Sequence, residues 1–201
     1  MIIRLPLLGR LWNIFSAWAR CHGGLAGPLS TALCGALLAV GAKATITDLA
    51  GIPRLPVWGL CPGILAMCAS TMAVCRTELV ATAAVWPRRQ VARCLWASLI
   101  LACGALGSLP VAAASGLWTL VPLTVCSVAL SLGISVVLRQ WSLLAGLALV
   151  AGTFAFGSRV DWWSVATPSY SAWVLFFTAG LISLVAYAAR GSVATPGAAA
   201  A

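Results

Sequence analysis

Long apolar runs, separated by short segments that carry the charges, constrain the fold of this chain most strongly. Of its 201 residues, 62% are hydrophobic and 7% are charged, whereas about a quarter of the residues in a soluble domain are charged. Several runs reach the roughly 20 residues that a helix needs to cross a bilayer. Backbone amides in lipid must be satisfied within the protein, and the runs lack the alternation of barrel strands. The sequence therefore predicts an all-α, polytopic integral membrane protein.

The apolar runs predict six transmembrane helices within residues 23–189. These spans cover approximately residues 24–42, 57–75, 91–108, 117–138, 141–156 and 171–189. A turn at Leu109-Pro110 is expected after the third span, and a tight turn at Arg139-Gln140 after the fourth.

The basic residues predict the orientation of these spans. With the N-terminus inside, nine of the twelve fall on the cytoplasmic side, namely Arg4, Arg10, Arg20, Arg76, Arg88, Arg89, Arg93, Arg139 and Arg190. Lys43, Arg54 and Arg159 fall outside. Because cytoplasmic loops carry an excess of Lys and Arg, both termini are expected to be cytoplasmic. The preference for arginine over lysine, with abundant alanine, hints at a GC-rich bacterial genome and so at a bacterial plasma membrane.

Three segments outside the predicted spans each predict a different structure. Residues 1–22 predict an amphipathic helix in the membrane interface, or else a ragged extension of the first span. Residues 190–201 are small and predict a flexible cytoplasmic tail. The outer segment 157–170 predicts either a short helix that dips into the outer leaflet or an ordinary interfacial loop. Its aromatic and proline residues are Trp162, Trp163, Pro168 and Tyr170.

The segment from Cys75 to Arg93 is the sizeable polar stretch between apolar runs. It holds the chain's single glutamate, Glu78, together with Arg76, Arg88, Arg89 and Arg93. The pattern predicts a short cytoplasmic amphipathic helix that begins at Arg76 and is broken by Pro87, within residues 76–90. Such a helix suits docking of a cytoplasmic partner. The alternative is a solvated loop whose arginines fix the topology.

The charged and catalytic residue types argue against an enzyme. No predicted span has an Asp, Glu, Lys, Arg or His near its middle, and intramembrane chemistry needs such groups. His22 lies at the edge of the first span, and no hydrolase, zinc-protease or phosphate-binding motif occurs. No catalytic residue, cofactor or nucleic-acid partner is therefore predicted. If the chain transports a substrate, another subunit must supply the energy.

Sulfur and glycine patterns mark two further features. Cys61, Cys68 and Cys75 recur every seven residues, a stripe that could pass cuprous ion but suits helix packing better. No structural disulfide is predicted among the eight cysteines. Two GxxxG spacings, Gly23/Gly27 and Gly59/Gly63, could let another helix approach closely.

In layout, the chain resembles the permease subunit of type-2 ATP-binding-cassette exporters. The resemblance rests on six spans, an interfacial N-terminal helix, and the stretch RTELVATAAVWPRRQVARCLW, with a Glu, a small-residue run, then Pro and Arg. It implies that the segment after span two is a coupling helix. Arg76 and Glu78 would then lie at the surface of a separate ATPase subunit. Arg88, Arg89 and Arg93 would anchor that helix to the inner leaflet or to acidic residues of the ATPase.

The resemblance also implies a second permease copy or paralogue, packed through small-residue faces such as Gly23/Gly27 or Gly59/Gly63. The chain departs from the family in its short second cytoplasmic loop and its brief outer segment. The leading hypothesis is thus a permease subunit of an ATP-driven exporter. The alternative is a non-transporting membrane assembly or immunity factor that binds a partner or anionic lipid through its basic element.

Overall fold

The computed structural model describes residues 16, 24, 26–46, 55–74, 86–144, 146–147, 150–151 and 168–190. This part of the chain is mainly helical, as the sequence predicts. The helices are α1 (Ala26–Val40), α2 (Cys61–Ala73), α3 (Trp86–Ser115), α4 (Leu120–Leu138) and α5 (Tyr170–Arg190). Short 3-10 helices cover Val57–Leu60 and Arg139–Trp141. Of the predicted interfacial helix 1–22, Ser16 is described and is helical; the remainder lies outside the described residues, as do 76–85, 157–167 and 191–201.

Within the described residues, three helices are long and apolar enough to cross a membrane. They are Gln90–Ser115 within α3, Leu120–Leu138 and Tyr170–Arg190, with mean hydropathies of 1.8, 2.2 and 1.9. Ala26–Val40 and Val57–Ala73 are shorter apolar helices. The outward face of α1 carries large apolar side chains, among them Leu29, Leu33 and Leu37, each more than 60% exposed. These features fit a helical protein located in a membrane.

The predicted turn at Leu109-Pro110 is wrong, because α3 continues through Pro110 to Ser115. Proline removes one backbone donor, but transmembrane helices tolerate it when neighbouring groups satisfy the freed carbonyl. The helix ends instead at Ser115, and the next residue, Gly116, has a φ of +77° and donates its N–H to the Ala112 carbonyl at 2.8 Å. Glycine adopts this left-handed conformation without steric cost. The turn at Arg139 is present, with a φ of +52°.

The connection between the first two predicted spans contains a short strand pair that the sequence analysis missed. Thr45 pairs with Pro56 and Ile46 with Leu55 in a two-residue antiparallel ladder. The Val57 N–H also donates to the Ala44 carbonyl at 3.1 Å. The two ends of this loop are therefore fixed next to each other.

Glycines set how closely the helices pack. Helix α4 packs against α2, α3 and α5, while α1 packs on α3 and α2. The backbones of α1 and α3 meet at Gly35 and Gly107, where a Cβ on Gly35 would overlap the carbonyl group of Gly107. In α4, a Cβ on Gly133 would press on Ser183 of α5. Small residues at these crossings let the helices approach closely, as in membrane bundles generally.

Hydroxyl groups inside the bundle are satisfied locally. Ser70, Ser131 and Ser135 each donate to the carbonyl three residues earlier, at distances of 2.7 to 2.8 Å. Thr31 donates to the Gly27 carbonyl at 2.9 Å. These bonds let polar side chains sit in apolar surroundings without an unsatisfied donor.

Candidate functional site

A group of side chains ties α3 and α5 to the carbonyl groups at helix ends. The Trp96 indole N–H donates to the Met72 carbonyl at 2.9 Å, and the Tyr187 hydroxyl donates to the Ala73 carbonyl at 3.2 Å. Arg93 donates from Nη1 to the Ala189 carbonyl at 3.2 Å. We call Arg93, Trp96 and Tyr187, with these three carbonyls, the helix-end junction. It connects the beginning of α3 with the ends of α2 and α5.

The chemistry of a helix end explains the first two bonds. The last carbonyls of a helix have no partner within the helix, and leaving them unpaired in apolar surroundings is costly. Helix α2 ends at Ala73, because Val74 is already extended, with a φ of −85° and a ψ of 117°. The carbonyls of Met72 and Ala73 therefore accept hydrogen bonds from side chains of other helices. The same bonds fix where α2 ends.

Packing makes the junction rigid. Trp96 and Tyr187 are each 1% exposed, and they share one apolar cluster with Met72, Ile100 and Leu132. A close-packed aromatic side chain has few alternative rotamers. Displacement of the beginning of α3 would therefore displace α2 and α5 as well.

Arg93 lies inside this junction and is only 6% exposed. The resemblance implies that it faces the inner leaflet or an ATPase, yet its guanidinium contacts the last turn of α5. A positive charge is favourable there, because the C-terminal end of a helix carries a partial negative charge. Arg93 thus joins α3 to α5.

The other predicted coupling residues lie in the chain between the end of α2 and Arg93. Arg88 and Arg89 are in the first turns of α3, which begins at Trp86, so residues 86–90 are continuous with the predicted third span. Arg76 and Glu78 lie outside the described residues. The segment that holds them leaves α2 after Val74 and enters α3 at Trp86. Its first attachment point is therefore beside the junction, and its second lies about two helical turns before Arg93.

The arginines of the described ranges gather at the junction end of the bundle. Arg139 follows α4, and Arg190 ends α5 beside Ala189. Residues of α4 near Arg139, such as Leu132, pack in the same cluster as Tyr187. Lys43 lies at the opposite end, where Gly41 is next to Val57.

The predicted interface glycines face partners within this chain. A Cβ on Gly27 would overlap the Met72 side chain, and one on Gly63 would lie 3.4 Å from Val150 Cγ2. Gly59 is buried in the 3-10 turn Val57–Leu60, and Gly23 lies outside the described residues. The close backbone contact of Gly35 with Gly107 was missed by the sequence analysis. The small-residue run of the third span, from Ala102 to Ser108, is the signal that could have indicated it.

At the start of α5, the structure describes the end of the outer aromatic segment. Pro168 and Ser169 precede the helix, and the Ser169 hydroxyl accepts the Ala172 N–H at 3.4 Å. Tyr170 is the first helical residue and is 84% exposed. Trp162 and Trp163 lie outside the described residues.

The cysteines of the proposed sulfur stripe have separate neighbours. Cys61 Sγ lies 4.0 Å from the Thr124 hydroxyl, whereas Cys68 Sγ lies 3.8 Å from Cys34 Sγ on α1. Cys75 lies outside the described residues. The structure therefore does not join Cys61 and Cys68 in one site. It reveals a thiol pair, Cys34 with Cys68, that the heptad spacing could not show because Cys34 belongs to another helix.

Removing the Tyr187 hydroxyl tests the junction with the smallest change. Tyr187→Phe should lower stability by about 1 kcal/mol, since hydrogen bonds between membrane helices contribute about 0.6 kcal/mol on average and at most about 1.7. The other tyrosine, Tyr170, is exposed, so Tyr170→Phe should leave stability unchanged. Thermal unfolding of both variants in mild detergent measures the difference. Equal melting temperatures for Tyr187→Phe and Tyr170→Phe would contradict the hydrogen bond from Tyr187 to the Ala73 carbonyl.

Comparisons with known proteins do not identify the chain. No family model, curated protein or solved structure matches it. The function must therefore be argued from the chain's own residues.

Proposed function

We propose that this chain is the transmembrane permease subunit of an ATP-driven exporter of the ATP-binding-cassette type, with ATP hydrolysis on a separate subunit. The helix-end junction carries the proposal. It joins the beginning of α3 to the ends of α2 and α5 through side chains that are almost fully buried. The first part of the Cys75–Arg93 segment, residues 75–85, lies between α2 and α3. A force on it would therefore reach three helices together. A coupling element needs this mechanical connection.

The charge distribution supports a cytoplasmic location for the junction. Arg93, Arg139 and Arg190 lie at the junction end of the bundle, and Lys43 lies at the other. Cytoplasmic ends of transmembrane helices are enriched in Lys and Arg. Both termini and the charged segment are therefore proposed to be on the cytoplasmic side of a bacterial plasma membrane.

The six-span arrangement adds three shorter crossings to the three long helices. Helix α1 has 15 residues, about 22 Å of rise, against a hydrocarbon core of about 30 Å. It would need local thinning of the bilayer or flanking residues that reach the interface. The second crossing would combine the 3-10 turn with α2. Within the predicted fifth span, 141–156, the described residues 142–144, 146–147 and 150–151 are helical, which supports a crossing there.

Reporter fusions test this orientation. Alkaline phosphatase fused after Ile46 should be active, because that position is proposed to be outside, and the same enzyme fused after Arg190 should be inactive. A cytoplasmic fluorescent reporter at the same two positions should give the reciprocal pattern. The opposite result at both positions would invert the topology, and activity at neither would contradict the first crossing.

Two partners follow from the proposal. Arg76 and Glu78 would contact the ATPase subunit, with Arg88 and Arg89 at the base of the coupling element. A second permease copy or paralogue would complete the pathway. Because Gly27 and Gly63 face neighbours within the chain, the outward faces of α1 and α5 are the better candidates for that contact. These faces carry exposed apolar side chains such as Leu33 and Leu181.

Co-purification from the native membrane tests the exporter function. The tagged chain, extracted in mild detergent, should retain an ATP-binding subunit in a fixed ratio, and the complex should hydrolyse ATP. If another protein or anionic lipid is retained and no ATPase is present, the exporter proposal is wrong. The chain would then be a non-transporting assembly or immunity factor.

A further inference from the structure

Two thiols on neighbouring helices are in direct contact. Cys68 Sγ of α2 lies 3.8 Å from Cys34 Sγ of α1. Cys68 is 7% exposed, and Cys34 is half-buried. Among the six described cysteines, all of which are free thiols, this is the thiol–thiol contact that joins two helices.

The pair lies in the middle of apolar helices. Cys34 is the ninth of the 15 residues of α1, and Cys68 is the eighth of the 13 residues of α2. Leu33 and Leu37, which neighbour Cys34 along α1, are more than 60% exposed on its outer face. A charged, water-soluble oxidant has no favourable route to such a place. A lipid-soluble oxidant can reach it through Cys34.

We propose that Cys34 and Cys68 are a redox-modifiable pair, which a lipid-soluble quinone oxidises to an inter-helix disulfide. Two S–H bonds break and one S–S bond forms, while two electrons and two protons pass to the quinone and give the quinol. A disulfide bond is about 2.05 Å long, so the sulfurs must approach by about 1.7 Å. Rotation of the two short side chains, with a small shift of the helices, can supply this movement.

The Cys34–Cys68 disulfide would fix the position of α1. At the residue after Cys34, α1 already meets α3, with Gly35 against the backbone of Gly107. A covalent link to α2 would therefore hold α1 against both neighbours. Movement of α1 relative to α2 would stop until a reductant restored the thiols. This chemistry is independent of the exporter function.

Mass spectrometry of the full-length protein tests the pair. The purified chain in lipid vesicles is treated with decylubiquinone, a fully substituted benzoquinone that does not add to thiols. Free thiols are then blocked with N-ethylmaleimide before digestion without reductant. We expect a linked peptide containing Cys34 and Cys68 in most molecules, and its loss after treatment with dithiothreitol.

Variants and a second oxidant make the result specific. Cys68→Ser should abolish the linked peptide, whereas Cys126→Ser, which changes a thiol of α4, should leave it intact. Copper-phenanthroline reports proximity of the thiols regardless of the natural oxidant. If copper-phenanthroline gives the link and the quinone does not, the quinone step is overturned. If neither reagent gives it, or if unrelated cysteines link equally, the pair itself is overturned.

Discussion

Replacing Gly35 by alanine should destabilise the chain by about 3 kcal/mol, at the upper end of the usual cost of overpacking a core. A Cβ at this position would lie 2.8 Å and 2.9 Å from the carbonyl carbon and Cα of Gly107, and closer still to the Gly107 oxygen. All three atoms belong to the backbone of α3, so no side-chain rotation can relieve the overlap. Helix α1 would have to move away from α3.

Gly180→Ala is the matched control for this substitution. Gly180 also lies inside a helix, but a Cβ there would be 3.5 Å from the Ala129 Cβ, an ordinary van der Waals contact. Alanine is also the better helix former, by up to about 1 kcal/mol. Thermal unfolding in mild detergent should therefore show a large loss for Gly35→Ala and little or no loss for Gly180→Ala. Similar melting temperatures for the two variants would contradict the close packing of α1 on α3.

Truncating Trp96 should have an effect of similar size. The side chain is 1% exposed and is among the largest fully buried ones in the described ranges. Trp96→Ala creates a cavity, for which the usual cost is about 3 to 5 kcal/mol. It also removes the indole donor from the Met72 carbonyl. The end of α2 would lose both its packing and its hydrogen bond.

Trp118→Ala provides the comparison. Trp118 is 62% exposed, in the short connection between α3 and α4, so its loss creates no internal cavity. The difference in melting temperature between the two tryptophan variants reports the contribution of burial at the junction. A Trp96→Ala protein as stable as Trp118→Ala would show that the junction does not hold α2 and α3 together.

The helical class could be predicted from the sequence because hydropathy reports it directly. Residues 171–189 were predicted as a span, and α5 covers Tyr170–Arg190. Pro110 led to a wrong prediction of a turn at Leu109-Pro110. Proline usually breaks a helix in water, but a membrane bundle tolerates it where neighbouring groups bond the carbonyl that loses its partner. Pro87 was expected to break a helix that begins at Arg76. It lies in the first turn of α3, where proline is tolerated.

The junction could be predicted only in part. Arg93 was selected for its charge, but its bond to Ala189 joins residues 96 positions apart. Trp96 and Tyr187 were not selected, because an aromatic residue in an apolar run is usually a packing or interfacial residue. Cys34 was not selected, because its partner, Cys68, belongs to another helix. Contacts between helices depend on how the helices rotate and cross. The hydropathy pattern of a single sequence does not reveal that geometry.

The proposed coupling of segment 75–93 to an ATPase is tested most directly by co-purification of the ATPase with variants of this chain. Wild type, Glu78→Arg and Lys43→Glu are purified side by side in mild detergent. The bound ATPase and its ATP hydrolysis are measured in each sample. Lys43→Glu serves as the control, because it reverses a charge at the opposite end of the bundle.

If the chain is an exporter permease, wild type and Lys43→Glu should retain the ATPase, and Glu78→Arg should retain at least tenfold less. That loss corresponds to about 1.4 kcal/mol or more of binding free energy. Equal retention of the ATPase by all three proteins would show that Glu78 does not couple. Absence of an ATPase from the wild-type sample would contradict the account as a whole.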